Sequence, residues 1–138
     1  MAETAAIASG LKGEADLIVE AAHTAPRIGS GLISVLATPV MINLMEAAAL
    51  AAMEHLLPEG HQSLGTQLQI SHVAATPVGM TVRASARVTA VDGNKISFRV
   101  EAHDDKELIG EGEHTRLVVN VARFDRRVQR KLGEAGAG

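Results

Sequence analysis

The 138-residue chain contains no cysteine, no tryptophan and no tyrosine; Phe98 and Phe124 are its two Phe/Trp/Tyr-type aromatics. Without cysteine there is no disulfide scaffold, no thiol nucleophile and no thiolate-bound zinc, which fits a reducing compartment. So few aromatics leave no stacking platform for single-stranded nucleic acid. Charge is not lopsided either: 13 basic and 16 acidic residues give a net charge of −3, with no counterion-driven attraction to a polyanion. No long hydrophobic run is present. The most apolar stretch, 35–53, is interrupted by Thr38, Pro39, Asn43 and Glu46, too broken for a membrane span. The first ten residues lack the basic n-region and apolar h-region of a secretory leader, so a soluble cytoplasmic protein is expected. The length is that of a single domain, 1–138, able to build a core without a staple.

What is present falls into two periodicities. Residues 1–15 carry no clear period and read as a mobile arm, and 16–22 as a short strand. Arg27-Ile28-Gly29-Ser30-Gly31 is loop chemistry. Thr38-Pro39 reads as an N-cap followed by proline at the first helical position, opening a helix that runs to Leu57 before Pro58-Glu59-Gly60 stops it. From there the period becomes two. Leu64, Leu68, Ile70 and His72 are assigned to one strand face, opposite Gly65, Gln67, Gln69 and Ser71. Met80 to Ala90 alternates cleanly, Asp92-Gly93-Asn94 makes a hairpin, and Ile96, Phe98, Val100 and Ala102 alternate again. A long strand spans 108–122, with Gly110 and Gly112 on one face where another backbone can approach closely. Residues 123–132 are a short charged helix or fraying tail whose arginine clusters read as a solvated face. Strand, buried helix, then four antiparallel strands make an α+β domain with one sheet around one helix.

Two polar side chains stand out from this pattern. Glu46 is the sole charged residue between Thr38 and Met53, and its helical neighbours Pro39, Ile42, Ala49, Leu50 and Met53 offer it no partner. A carboxylate buried without one is costly. It is either a structural ion pair with an arginine near a subunit boundary, or a general base or nucleophile in a desolvated site. His72 shares an apolar strand face, where a satisfied core histidine is the commoner outcome. Thr38 alone is explained by capping. Ser63 lacks the glycine of a nucleophile elbow, the histidines lack zinc-ligand spacing, and Gly29-Ser30-Gly31 lacks the context of a dinucleotide loop. No metal and no cofactor are expected.

The segments Ala37-Thr38-Pro39-Val40-Met41-Ile42-Asn43-Leu44-Met45-Glu46, Ser63-Leu64-Gly65-Thr66, Ser71 to Gly79, and Ala102 to Arg116 resemble the fluoroacetyl-CoA thioesterase family across about three quarters of the chain. The resemblance implies the hot-dog fold, an antiparallel sheet wrapped around one long helix. It also implies hydrolysis of an acyl-CoA thioester by Thr38, Glu46 and His72 at a dimer interface. Glu46 would be base or nucleophile, His72 the proton carrier, and Thr38 would orient or attack. Gly65 would lie beside the acyl group with its backbone exposed. Arg116, with Arg83 and Arg87, is a candidate for the CoA phosphates. CoA enters only as part of the substrate.

Two departures bear on specificity. No aromatic precedes Phe98, whereas the fluoroacetate-selective member carries an aromatic lid before the helix, so a short or medium acyl-CoA range is expected. Pro39 stands where the family has glycine after the threonine and supplies no N–H, leaving Val40 or the Gly65 region to meet the oxyanion. A homodimer, or a higher oligomer, is expected because an open sheet leaves edges to be covered. The alternative is a non-catalytic acyl-CoA or acyl-carrier binding module on the same scaffold; a hot-dog hydratase lacks its Asp/His pairing here.

Overall fold

A computed structural model describes the backbone of residues 2–137 and the side chains of 3–133. Five strands form one antiparallel sheet: β1 (Lys12–Ile18), β2 (His61–His72), β3 (Thr81–Asp92), β4 (Lys95–His103) and β5 (Leu108–Asn120), in the spatial order β1-β3-β4-β5-β2. A one-turn helix, α1 (Ala25–Ile28), precedes the central helix α2 (Thr38–Met53), and α3 (Val121–Ala137) follows the last strand. The sheet curls around α2 to give the wrapped α+β arrangement that the sequence implies.

The alternation in β3 and β4 builds the core. Val82, Ala84, Ala86 and Val88 face Ile96, Phe98, Val100 and Ala102, and all are buried against Met41, Leu44, Met45, Ala48, Ala49, Ala52 and Met53 of α2. Each large side chain so buried is worth about 1.5–3 kcal/mol relative to exposure. α2 packs on β1, β3 and β4 and barely touches β2. Its other face, including Asn43, Ala47, Leu50 and Ala51, is therefore open in a single protomer.

Four expectations need correction. The described part of the expected 1–15 arm is built into the fold: Ile7 is in the core, the Thr4 hydroxyl donates to the Gly93 carbonyl, and β1 begins at Lys12. Consequently the first strand is Lys12–Ile18 rather than 16–22; it pairs with β3 from Lys12↔Arg87 to Ile18↔Thr81. The central helix ends at Met53 and tightens into a 3₁₀ turn, Glu54–Leu56. Its N-cap is Ala37, and Thr38 is the first helical residue with no capping bond, which leaves its hydroxyl for other use.

Two bulges correct the assignment of faces. In β2 the register shifts between Gly65 and Gln67, so Thr66 is the extra residue. Directly paired residues share a face. The inner face therefore holds Ser63 and Gly65 before the bulge (opposite Val118 and Arg116) and Leu68, Ile70 and His72 after it (opposite His114, Gly112 and Gly110). Leu64, expected inside, turns outward. Gly65 and His72, expected on opposite faces, share one because the bulge resets the two-residue parity. In β3 a second shift after Val88 turns Ala90 out and packs Val91 on the core instead. The close approach foreseen at Gly112 is present: a Cβ there would strike the Gln69 carbonyl of β2.

Candidate active site

Polar residues on the inner face gather in two groups, one at each end of the exposed stripe of α2. The first is at the helix start. Thr38 Oγ1 and His72 Nδ1 lie 2.7 Å apart, while His72 Nε2 is buried without a hydrogen-bond partner. Burial holds the His72 imidazole below its ordinary value near 6.5, with the Ala74 backbone acting in the opposite direction. The pair borders a recess of about 390 Å³ lined by Leu32, Ile33, Val35 and Leu36 of the loop before α2 and by Val73. Leu32 and Ile33 are 94% and 73% exposed.

The second group surrounds Glu46, two helical turns along. The set of polar residues read from sequence is incomplete here, because strand pairing supplies partners that α2 itself cannot. Arg116 Nη1 donates to Glu46 Oε2 at 3.1 Å. The rest of the guanidinium is fixed from the sheet: Nε donates to Ser63 Oγ at 2.8 Å and Nη2 to the Ser63 carbonyl at 3.1 Å. Ser63 is held in turn by Glu54, whose carboxylate accepts from the serine N–H at 2.9 Å and hydroxyl at 2.6 Å. His114 completes the set. Its Nδ1 faces the Gln67 carbonyl at 2.9 Å, which can only accept, and its Nε2 faces Arg116 Nη1 at 3.1 Å, which can only donate. The proton therefore sits on Nδ1 and the ring is neutral. Burial lowers its pKa; the Gln67 carbonyl opposes this, Arg116 adds to it, and Glu46 opposes it. The 3.8 Å approach of Glu46 to His114 is accordingly not an ion pair.

Gly65 closes this group. A Cβ at that position would sit 2.5 Å from Glu46 Oε2 and 3.1 Å from His114 Cε1, so only glycine lets the carboxylate lie against the strand. Arg116 is 5% exposed and fully engaged, which overturns the expectation that it extends to a CoA phosphate. Glu46 has the arginine partner that one of its two alternatives called for, supplied by β5 rather than by α2. Nor does one protomer bring Glu46 to His72: the eight helical steps from Thr38 to Glu46 separate the groups by about 12 Å along the helix. Val40 is no free oxyanion donor, since its N–H bonds the Ala37 carbonyl at 3.1 Å. Ser63, Glu54 and His114 were not singled out from sequence as site residues. The signal for His114 was available, because alternation along β5 puts Gly112, His114, Arg116 and Val118 on one face. Among the described residues no cluster suits a metal ion, and no helix is long and apolar enough to cross a membrane.

The sequence profile of the fluoroacetyl-CoA-specific thioesterase family matches residues 19–122. A fluoroacetyl-CoA thioesterase from Streptantibioticus cattleyicolor is 43% identical over 97 residues, 70% of each chain. A crystal structure of a fluoroacetyl-CoA thioesterase superposes with a TM-score of 0.85 at 35% identity, covering 91% of this chain and 97% of the other. A hot-dog-like protein from Thermanaerovibrio acidaminovorans, 23% identical, superposes at 0.86 over 95% and 97% of the two chains and bears on the fold alone. The wrapped helix and the family match together place this chain in the fluoroacetyl-CoA-specific thioesterase family, hot-dog enzymes that hydrolyse thioesters.

Proposed function

We propose that the protein hydrolyses short or medium acyl-CoA thioesters at two equivalent sites, each combining Glu46 of one protomer with Thr38 and His72 of a two-fold partner. The observation that carries this reading is the matched spacing of the two groups. On α2 the midpoint between Thr38 and Glu46 is Ile42; on β2 the midpoint between Gly65 and His72 falls at Leu68 and Gln69. One dyad passing near these midpoints superposes each Glu46–Gly65 group on the partner's Thr38–His72 group. β2 is an edge strand, and Leu68 and the open stripe of α2 need covering, so the same dyad buries both.

In this arrangement Arg116 orients the Glu46 carboxylate, which takes a proton from the water that attacks the thioester carbonyl carbon. The carbon–sulfur bond breaks as His72, neutral at the outset, receives through Thr38 the proton that Glu46 took from water and passes it as imidazolium to the departing CoA sulfur. The irregular backbone at Gly65 and Thr66 meets the oxyanion, since Pro39 has no N–H and that of Val40 is taken. The aliphatic recess beside Thr38 receives the acyl chain. With no aromatic in that loop, selectivity for fluoroacetyl over other small acyl groups is not expected.

Thiol release from a panel of acyl-CoAs tests this directly, and the cysteine-free protein contributes no background. Turnover of C2 to C8 thioesters is expected; tight binding without release would instead establish an acyl-CoA or acyl-carrier binding module. The pH profile supplies a further check. Neutral His72 is the working form, and burial lowers its pKa, so kcat/KM should stay level as pH falls through 6.5 and decline only below it. A decline beginning above that value would remove His72 from this role. Gly65→Ala should cost about 10²-fold in kcat/KM by displacing the Glu46 carboxylate, with the thermal midpoint little changed. Wild-type kinetics in that variant would place the reaction away from Glu46.

A further inference from the structure

Where α3 leaves the sheet, a groove of about 420 Å³ is lined by Glu3, His61, Asn94, Arg123, Phe124 and Arg127. The helix start is fixed there by Asn120, whose side-chain oxygen accepts from the Arg123 N–H at 3.0 Å. Arg123 and Arg127 are four apart and so lie on one helix face, with the half-exposed Phe124 ring beside them. Among the described residues neither guanidinium has an ion pair or a side-chain hydrogen bond. Across the groove, Glu3 Oε2 is buried with no hydrogen-bond partner. Charge is concentrated on this helix: 121–132 holds five of the thirteen basic residues and one of the sixteen acidic ones. An aromatic face and two free forks of N–H donors match a purine nucleotide carrying phosphates.

We propose that this groove binds the 3′-phosphorylated ADP end of coenzyme A. The base stacks on Phe124, while Arg123 and Arg127 hold the phosphates. This rests on the thioesterase reading above and extends it to the far end of the substrate. The groove lies on the same two strands as Glu46's surroundings: His61 pairs with Asn120, four residues along β5 from the Arg116–Gly65 pair, about 13 Å away. An extended pantetheine arm bridges that span.

The test is calorimetric binding of free CoA to the intact protein, alongside KM values for one acyl group carried on CoA and on pantetheine. Arg123→Glu and Arg127→Glu should each weaken CoA binding by about tenfold or more and raise the ratio of the two KM values to match. Arg126→Glu makes the same charge change on the same helix outside the groove and should alter CoA binding by less than about twofold. Equal losses in all three variants would reduce the effect to long-range attraction and overturn the proposal. ATP binding as tightly as CoA would also overturn it, by making the groove a general nucleotide site. Failure of the functional reading is separately visible: no thioester would be hydrolysed, on CoA or on pantetheine, while the binding contrast among the variants remained.

Discussion

Glu46→Gln is expected to lower kcat for acyl-CoA hydrolysis by about 10³-fold while the protein stays folded. The amide has the shape of the carboxylate, and its oxygen still accepts from Arg116 Nη1. What it loses is basicity toward water. KM should change little, because the side chain meets the reacting atoms rather than the body of CoA. The stability cost is limited by the rest of the network: Arg116 keeps both contacts to Ser63, and Ser63 keeps the Glu54 carboxylate behind it. Removing Arg116 itself is a different experiment, since its truncation strands Ser63 and Glu54 as well as Glu46, and breaking such a partly buried set costs about 3–5 kcal/mol. Steady-state kinetics with a melting curve on the glutamine variant checks the expectation. Turnover within tenfold of wild type, in a folded protein, would leave Glu46 as no more than the partner of a structural arginine.

That ambiguity marks how far the residues could be read in order. The fold was largely legible. The alanine-rich stretch after Pro39 and the alternation through Val82–Val88 and Ile96–Ala102 state helix and strands in local periodicity, which needs no knowledge of neighbours. The bulges were not legible. An extra residue at Thr66 or Thr89 leaves no compositional trace, yet it inverts the parity of everything after it, which is why Leu64 and Gly65 were assigned to the wrong faces. The site was half legible for a related reason. Glu46 and His72 stand out because each breaks an apolar pattern. Their partners do not, because Arg116, Ser63 and Glu54 are ordinary polar residues until strand pairing brings three distant segments together. Thr38 misled in a third way: Ala37 takes the cap position, and the hydroxyl reaches across to His72 instead.

Mixing two inactive variants should restore about a quarter of wild-type activity if each site draws on both protomers. When Glu46→Gln and His72→Ala chains are unfolded together and refolded in equal amounts, half of the dimers are mixed. In a mixed dimer one site inherits both lesions. The other combines an intact Glu46 with an intact Thr38–His72 pair and works normally, so one site in four is competent. The physical basis is the separation along α2: the rigid helix holds Thr38 about 12 Å from Glu46, and no rotamer of Glu46 closes that gap within one chain. His72 is anchored to Thr38 and Glu46 to Arg116, so neither group is free to travel. In the proposed dimer, symmetry would remove the problem at no conformational cost, because an antiparallel pairing of edge strands about Leu68 and Gln69 would set Gly65 opposite the partner subunit's His72. If the mixture regains nothing while size measurements show that mixed dimers formed, the two groups do not share a site and the dyad has been drawn in the wrong place. Activity near one quarter, falling as either parent is added in excess, is the result that a shared site requires.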